Sequence, residues 1–249
     1  MLKFFRTIRK KLIEEDNVRK YLLYAIGEIL LVVIGILIAL QVHNWNEGAK
    51  DKARMLTNIH SIQEDIQLET RLIAEVINRL RFQVEAYESV VPVMESGNRT
   101  VQDSLKFILD FNWLTDTPII STRSNTWDFL NTSGAIAEFP DSELLRMLQH
   151  YYDAFEQTAI NFTNTAIPSR LELRQLKYEL FTDTEHRKFF PTVTPKAPGK
   201  MVYDSIFNDP RILPLCRYIG TTAMYFENEF ISVQKISNDL NDYLNKNYR

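Results

Sequence analysis

The side chains able to do chemistry are few and poorly grouped. Four histidines (His43, His60, His150 and His186) and one cysteine, Cys216, are spread over 249 residues. A zinc protease needs His-Glu-x-x-His on one helix, and the chain has none. A di-iron bundle needs Glu-x-x-His pairs, and these are absent too. A single cysteine excludes an intrachain disulfide and a cysteine-based zinc site. Set among Leu213, Leu215 and Ile219, Cys216 reads as a small buried hydrophobe, not a nucleophile. No Gly-x-Ser-x-Gly elbow, phosphate loop or Gly-x-Gly-x-x-Gly turn occurs. Thr132-Ser133-Gly134 is better read as a helix stop than as a nucleophile. His60 and Glu64 lie one turn apart, the spacing of a solvated helix contact. The expectation is a protein without catalytic, cofactor-binding or metal-binding residues, and not an enzyme.

One charged residue stands where charge is expensive. Tyr21 to Leu40 reads YLLYAIGEILLVVIGILIAL, with Glu28 its only charge. Twenty residues at helical rise cover about 30 Å, the thickness of a hydrocarbon core. A cleaved signal peptide would have a shorter apolar region followed by a small-x-small site, and Ala39-Leu40-Gln41 does not supply one. We therefore expect a transmembrane helix over 21–42, a basic segment over 1–20 and a second domain over 43–249. Residues 1–20 hold seven basic and three acidic side chains, whereas only Lys50, Lys52 and Arg54 are basic just after the span. The positive-inside rule then puts the N-terminus in the cytoplasm and the large domain outside. Tyr21, Tyr24 and Trp45 sit where an aromatic belt would. Phe4, Phe5, Ile8 and Leu12 recur at helical spacing among Arg and Lys, so the first segment is either a surface helix on anionic lipid or simply a charged flank.

Glu28 has three readings. It lies near the cytoplasmic edge within reach of water, or it lines an ion or proton path, or it marks a helix interface. The interface reading has geometry behind it. At 100° per residue, Gly35 and Ala39 fall within roughly 20° of Glu28. Gly35 and Ala39 also form a small-xxx-small pair, which lets helices approach closely. Glu28, Gly35 and Ala39 are therefore the candidate transmembrane interface, for a second copy or for another envelope protein.

The run FFRTIRKKLIEE followed by KYLLYAIGEILLVVIGILIALQVHNWNE resembles a family of uncharacterised single-pass membrane proteins of flavobacteria-like Gram-negative bacteria. The likeness covers Phe4 to Glu47. A looser one covers Trp127 to Tyr152, within TWDFLNTSGAIAEFPDSELLRMLQHYY. The resemblance implies a topology and a location in the bacterial inner membrane, with the N-terminus cytoplasmic and the C-terminal domain periplasmic. It brings no catalytic residues with it, and Phe181 to Pro210 has no counterpart.

The elements behind these residues are helical throughout, so the fold class is all-α. Met55, Ile59, Ile62, Ile66, Ile73, Ile77, Leu80, Val84, Tyr87 and Val91 form one stripe, broken only at Glu69. No Gly or Pro interrupts 49–91, which predicts a helix of about forty residues, some 60 Å long. It either continues from the membrane helix or bends at Glu47-Gly48, and it stops at Pro92 and Ser96-Gly97-Asn98. Shorter helices are expected over 101–112, 126–132, 142–166 and 169–181, with Gly134 stopping the second and Pro140-Asp141-Ser142-Glu143 starting the third. The stretch 182–210, with its prolines in FFPTVTPKAPGK, reads as a loop or extended excursion. Ala223, Phe226, Phe230, Val233, Ile236, Leu240 and Leu244 mark a last helix from about Pro210 to Leu244. Long first and last helices with short ones between them fit an antiparallel bundle.

Charge bears on partners. The stretch 43–249 carries 22 basic and 28 acidic groups, the wrong balance for nucleic-acid backbone. The expected partners are the lipid bilayer and a second copy or another envelope protein, with no nucleic acid. A ligand-sensing domain signalling through the span is the alternative; the twenty residues before the span are too short for an output domain, so a partner would have to supply one. Trp113, Trp127, Phe129, Phe139, Tyr151, Tyr152 and Phe155 crowd the middle third. They read as aromatic core, with a pocket, peptide groove or unrecognised site near Tyr151 and Tyr152 as the rival reading.

Overall fold

The computed structural model describes residues 18–97, 101, 103–120, 125–139, 141–181 and 200–248. Among these residues the fold is all-α, without strands. The helices are α1 (Val18–Glu95), α2 (Ser104–Trp113), α3 (Asn125–Ser133), α4 (Ser142–Thr165), α5 (Ile167–Leu180), α6 (Lys200–Asn208) and α7 (Ile212–Asn247), with a 3-10 turn at Ala135–Glu138 after α3. The chain divides into two compact units at Thr57 and Asn58. The basic segment expected over 1–20 lies outside the described residues up to position 17, as do the side chains of Tyr21 and Tyr24.

In the first unit every residue from Ile29 to Arg54 is exposed. The apolar part of this run includes Leu30, Leu31, Ile34, Leu37 and Ile38, all about half exposed or more. A helix that is apolar all round and packed against nothing suits hydrocarbon, not water. Among the described residues there is thus one candidate membrane-spanning helix, near the N-terminus.

The second unit is organised by its first and last helices. On α1 the shielded positions are Ile59, Ile62, Ile66, Glu69, Ile73, Val76, Leu80, Gln83, Val90 and Met94, with half-buried Tyr87 between the last three. On α7 they are Ile212, Cys216, Ile219, Ala223, Phe226, Phe230, Val233, Ser237, Leu240 and Leu244. Both rows alternate steps of three and four, the spacing that keeps one seam facing a partner helix. Contacts along the seam run in opposite directions on the two helices. Gln63 donates to Asn245, Asn241 donates to Thr70, Arg81 pairs with Glu227, the Tyr87 ring covers Gly220, and Arg217 pairs with Glu95. The helices are therefore antiparallel, as expected.

The approach is closest at Gly220, where an added Cβ would lie 2.1 Å from Cγ of Tyr87. Cys216 is buried in the core beside Ile212 and Ile219, and burial pushes its thiol up to about 12. At that value it is a packing residue, as the sequence suggested.

The intervening helices cover this pair. Asp103 caps α2 by accepting from the Lys106 amide, and Asp141 caps α4 by accepting from the Glu143 and Leu144 amides. Asp141 also accepts the Tyr243 and Tyr248 hydroxyls, which tie the start of α4 to the end of α7. Burial alone would raise that carboxyl, but these four donors outweigh it and hold it below its usual range. Gly134 ends α3 at φ 75°, a conformation that favours glycine.

Three expectations need correcting. Pro92 does not end α1; the helix runs on to Glu95, and Gly97 at φ 66° follows. Proline removes one amide bond, and the loss is tolerated because it falls in the last turn. Ile77 and Val91 of the α1 stripe are buried as expected, and Val84 is the position that departs. Val84 is only half-buried, while Val76, Gln83, Val90 and Met94 are shielded, because the seam follows the shorter heptad repeat. Lastly, the segment read as a loop over 182–210 contains α6, Lys200–Asn208. The prolines that suggested a loop all precede it, and the residues 182–199 that carry them lie outside the described set.

Candidate functional site

The residues named for the transmembrane face all lie on the first unit's part of α1. Glu28 is half-buried and lines a shallow surface groove with Ala25, Ile29, Val32 and Val33. Ala39 lines another with Val42, His43, Trp45, Asn46 and Ala49. At Gly35 no other side chain comes within 4 Å of where a Cβ would stand.

The second unit interrupts its apolar seam with two polar layers, neither of which the sequence pattern assembled. The first is built around Glu69, which is 5% exposed. The Tyr151 hydroxyl on α4 donates to its Oε2 at 3.0 Å. Beside it, Thr70 and Ser237 approach to 2.5 Å, and Asn241 donates to Thr70 at 3.1 Å. The Thr70 hydroxyl also donates to the Ile66 carbonyl, and Ser237 hydrogen-bonds the Tyr151 hydroxyl as well as Thr70. Oε1 of Glu69 and Oδ1 of Asn241 are buried without a hydrogen-bond partner among the described residues. Burial raises the Glu69 carboxyl to about 7, the Tyr151 bond lowers it, and the nearby charge of Asp65 raises it further.

The second layer is built around Arg170 of α5, which is 0% exposed. Its Nε and Nη2 both donate to Gln83 Oε1, at 3.0 and 2.7 Å. Its Nη1 donates to the Ala166 carbonyl and to Thr222 of α7, at 2.8 and 3.2 Å. The guanidinium also lies over the Phe162 ring, 5.4 Å from its centroid. Gln83 passes the chain of bonds on, donating to the Trp113 and Asp116 carbonyls. Two more cations of α5 face the same segment. Arg174 donates to the Thr115 carbonyl and Lys177 donates to Asn112 and Thr115. The Lys177 acceptors are the Asn112 side-chain oxygen and the Thr115 hydroxyl; all of these groups lie at the C-terminal end of α2, where partial negative charge gathers and cations are favoured. Burial lowers the Arg170 guanidinium to about 10 and the Lys177 ammonium to about 8, the latter helped by Arg174.

The aromatic group read as one cluster is divided between surroundings. Tyr151, Phe155 and Phe139 are core. Trp127 stacks on Tyr152 at 4.9 Å, whereas Trp113 stacks on exposed Phe82 at 5.0 Å and Phe129 is exposed. His43 lies 3.5 Å from Glu47 on an exposed helix face. Among the described residues no three His, Cys, Asp or Glu side chains converge as a metal site would require. Glu69 was visible in the sequence only as a gap in a stripe, and Arg170 and Gln83 gave no signal, because their burial depends on which helices cover them.

Two layers of this kind can fix the register of a bundle, since sliding either helix would strand buried donors and acceptors. The model of a Family of unknown function (DUF6090) matches residues 28–208. No curated protein and no solved structure matches the chain.

Proposed function

The chain belongs to the DUF6090 family of unknown function, and from that premise we infer that it is a single-pass inner-membrane protein whose helical domain binds without catalysis. Its partner is another envelope protein or a second copy of itself. The observation that carries this reading is the apolar run Ile29–Leu40, exposed along its whole length. Charge supports the orientation: seven basic residues precede the run and three closely follow it, which favours a cytoplasmic N-terminus and a periplasmic domain. A reporter active only in the periplasm, fused after Arg249, should be active, and one active only in the cytosol should be silent. The reverse result sinks the topology.

The binding face within the membrane is Glu28, Gly35 and Ala39. A polar group flanked by small residues gives two helices close approach and a hydrogen-bonding group to share. Gly35→Ile tests this cleanly, since among the described residues nothing lies within 4 Å of a Cβ at Gly35. The variant should weaken self-association in a membrane assay by about fivefold, the equivalent of roughly 1 kcal/mol of helix packing. Unchanged association would remove this face from the account.

A further inference from the structure

We propose that Glu69 is a proton-operated latch in the seam between α1 and α7: its protonated carboxyl lets the layer close, and loss of the proton loosens it. The argument is one of unmet demand. A carboxylate offers two oxygens that each seek donors. Glu69 receives one, the Tyr151 hydroxyl on Oε2, and its Oε1 is buried without a partner among the described residues. The neighbouring hydroxyl hydrogens are already spent. Thr70 gives its own to the Ile66 carbonyl, Tyr151 gives its own to Glu69, and Ser237 is engaged by Thr70 and Tyr151 and not by Glu69. Asn241, next along the seam, adds another unserved acceptor in its Oδ1.

A bare carboxylate here is both buried and underserved, which is costly. A proton removes the charge and turns an acceptor into a donor. Apart from the Tyr151 bond, the surroundings do nothing to favour the ionised form. Asp65 adds like charge from the same helix, while the Tyr151 hydroxyl of α4 is held in its neutral form by burial and by Glu69, and Tyr152 packs edge-on against it. Ser237 and Asn241 of α7 and Trp127 of α3 do not ionise, and among the described residues no cation pairs with Glu69.

The sign follows from linkage. A carboxyl held up in the fold stabilises it while protonated. That contribution is complete below the free value of 4.5 and is lost as pH rises through about 7. Acid therefore tightens this seam, opposite to the usual effect of acid on proteins.

The test uses the full chain in lipid nanodiscs and hydrogen exchange, corrected for intrinsic rate, from about pH 5 to about pH 8. In the unmodified protein, peptides over 62–73 and 233–241 should lose protection with a midpoint near 7. Glu69→Gln keeps the shape and has no proton to lose, so its protection should be flat across the range. Tyr151→Phe removes the one bond that favours the carboxylate, so its midpoint should move to higher pH. A flat profile in the unmodified protein overturns the proposal. So does a Glu69→Gln profile that follows the unmodified one, or a Tyr151→Phe midpoint that stays or falls. Should Glu69→Gln fail to fold, the direction of the Tyr151→Phe shift still decides.

Discussion

Arg170→Ala should destabilise the helical domain by about 3–5 kcal/mol in denaturant unfolding of the full chain. Two losses combine. Gln83 Oε1 loses the donor that reaches it from α5, whereas Thr222 keeps its bond to the Ile219 carbonyl; a buried group left unpaired costs about 1–3 kcal/mol. The side chain is also fully buried, so its removal opens a cavity against Phe162. Arg170→Met separates the two terms. It refills most of the volume and leaves the hydrogen-bond deficit, so it should cost roughly 1–3 kcal/mol. If Arg170→Ala is as stable as the unmodified chain, the layer is not holding the helices together. No carboxylate touches Arg170 among its hydrogen-bond partners, so the loss should change little with salt, unlike that of a surface ion pair.

Gly220→Ala should also destabilise, by about 1–3 kcal/mol, against the sign expected from helix propensity. Alanine in a helix interior is normally favoured over glycine by about 1 kcal/mol. Here the new methyl would lie 2.1 Å from Cγ and 2.7 Å from Cβ of Tyr87. Those atoms sit at the root of the side chain and cannot swing aside as a flexible tip would. The ring must change rotamer or the helices must part. The decisive measurement is a double-mutant cycle with Tyr87→Ala. In that background Gly220→Ala should be neutral or stabilising, a coupling of about 2 kcal/mol or more. Equal cost in both backgrounds would mean that the Tyr87 contact is not the cause.

The sequence disclosed elements better than it disclosed their partners. The row Phe226, Phe230, Val233, Leu240 and Leu244 is buried as its spacing predicts, because an apolar stripe has to be covered by something. Caps were legible for the same local reason: Asp141 and Gly134 act within a few residues of themselves. Glu69 appeared as an interruption, and in the fold it occupies a core position. Ile236 was placed in the stripe, but Ser237 is the fully shielded residue, since Ser237 faces Thr70 across the seam. Hydropathy ranks serine below isoleucine and cannot see that partner. Arg170 is the extreme case. An arginine in a polar helix reads as solvated, and only the convergence of Gln83, Ala166 and Thr222 encloses it. The membrane span was legible because lipid imposes its demand on each residue separately.

The antiparallel seam has a consequence for how the protein is made. Gln63 bonds Asn245 across 182 residues of chain, so the two halves of the core are synthesised at opposite ends of translation. Until Ile212–Asn247 emerges, the isoleucine row of the first helix has no final cover, and pairings so remote in sequence form slowly. The nascent domain is thus left sticky for most of its synthesis, and a message truncated before codon 212 would yield a chain for quality-control proteases, not a smaller working domain.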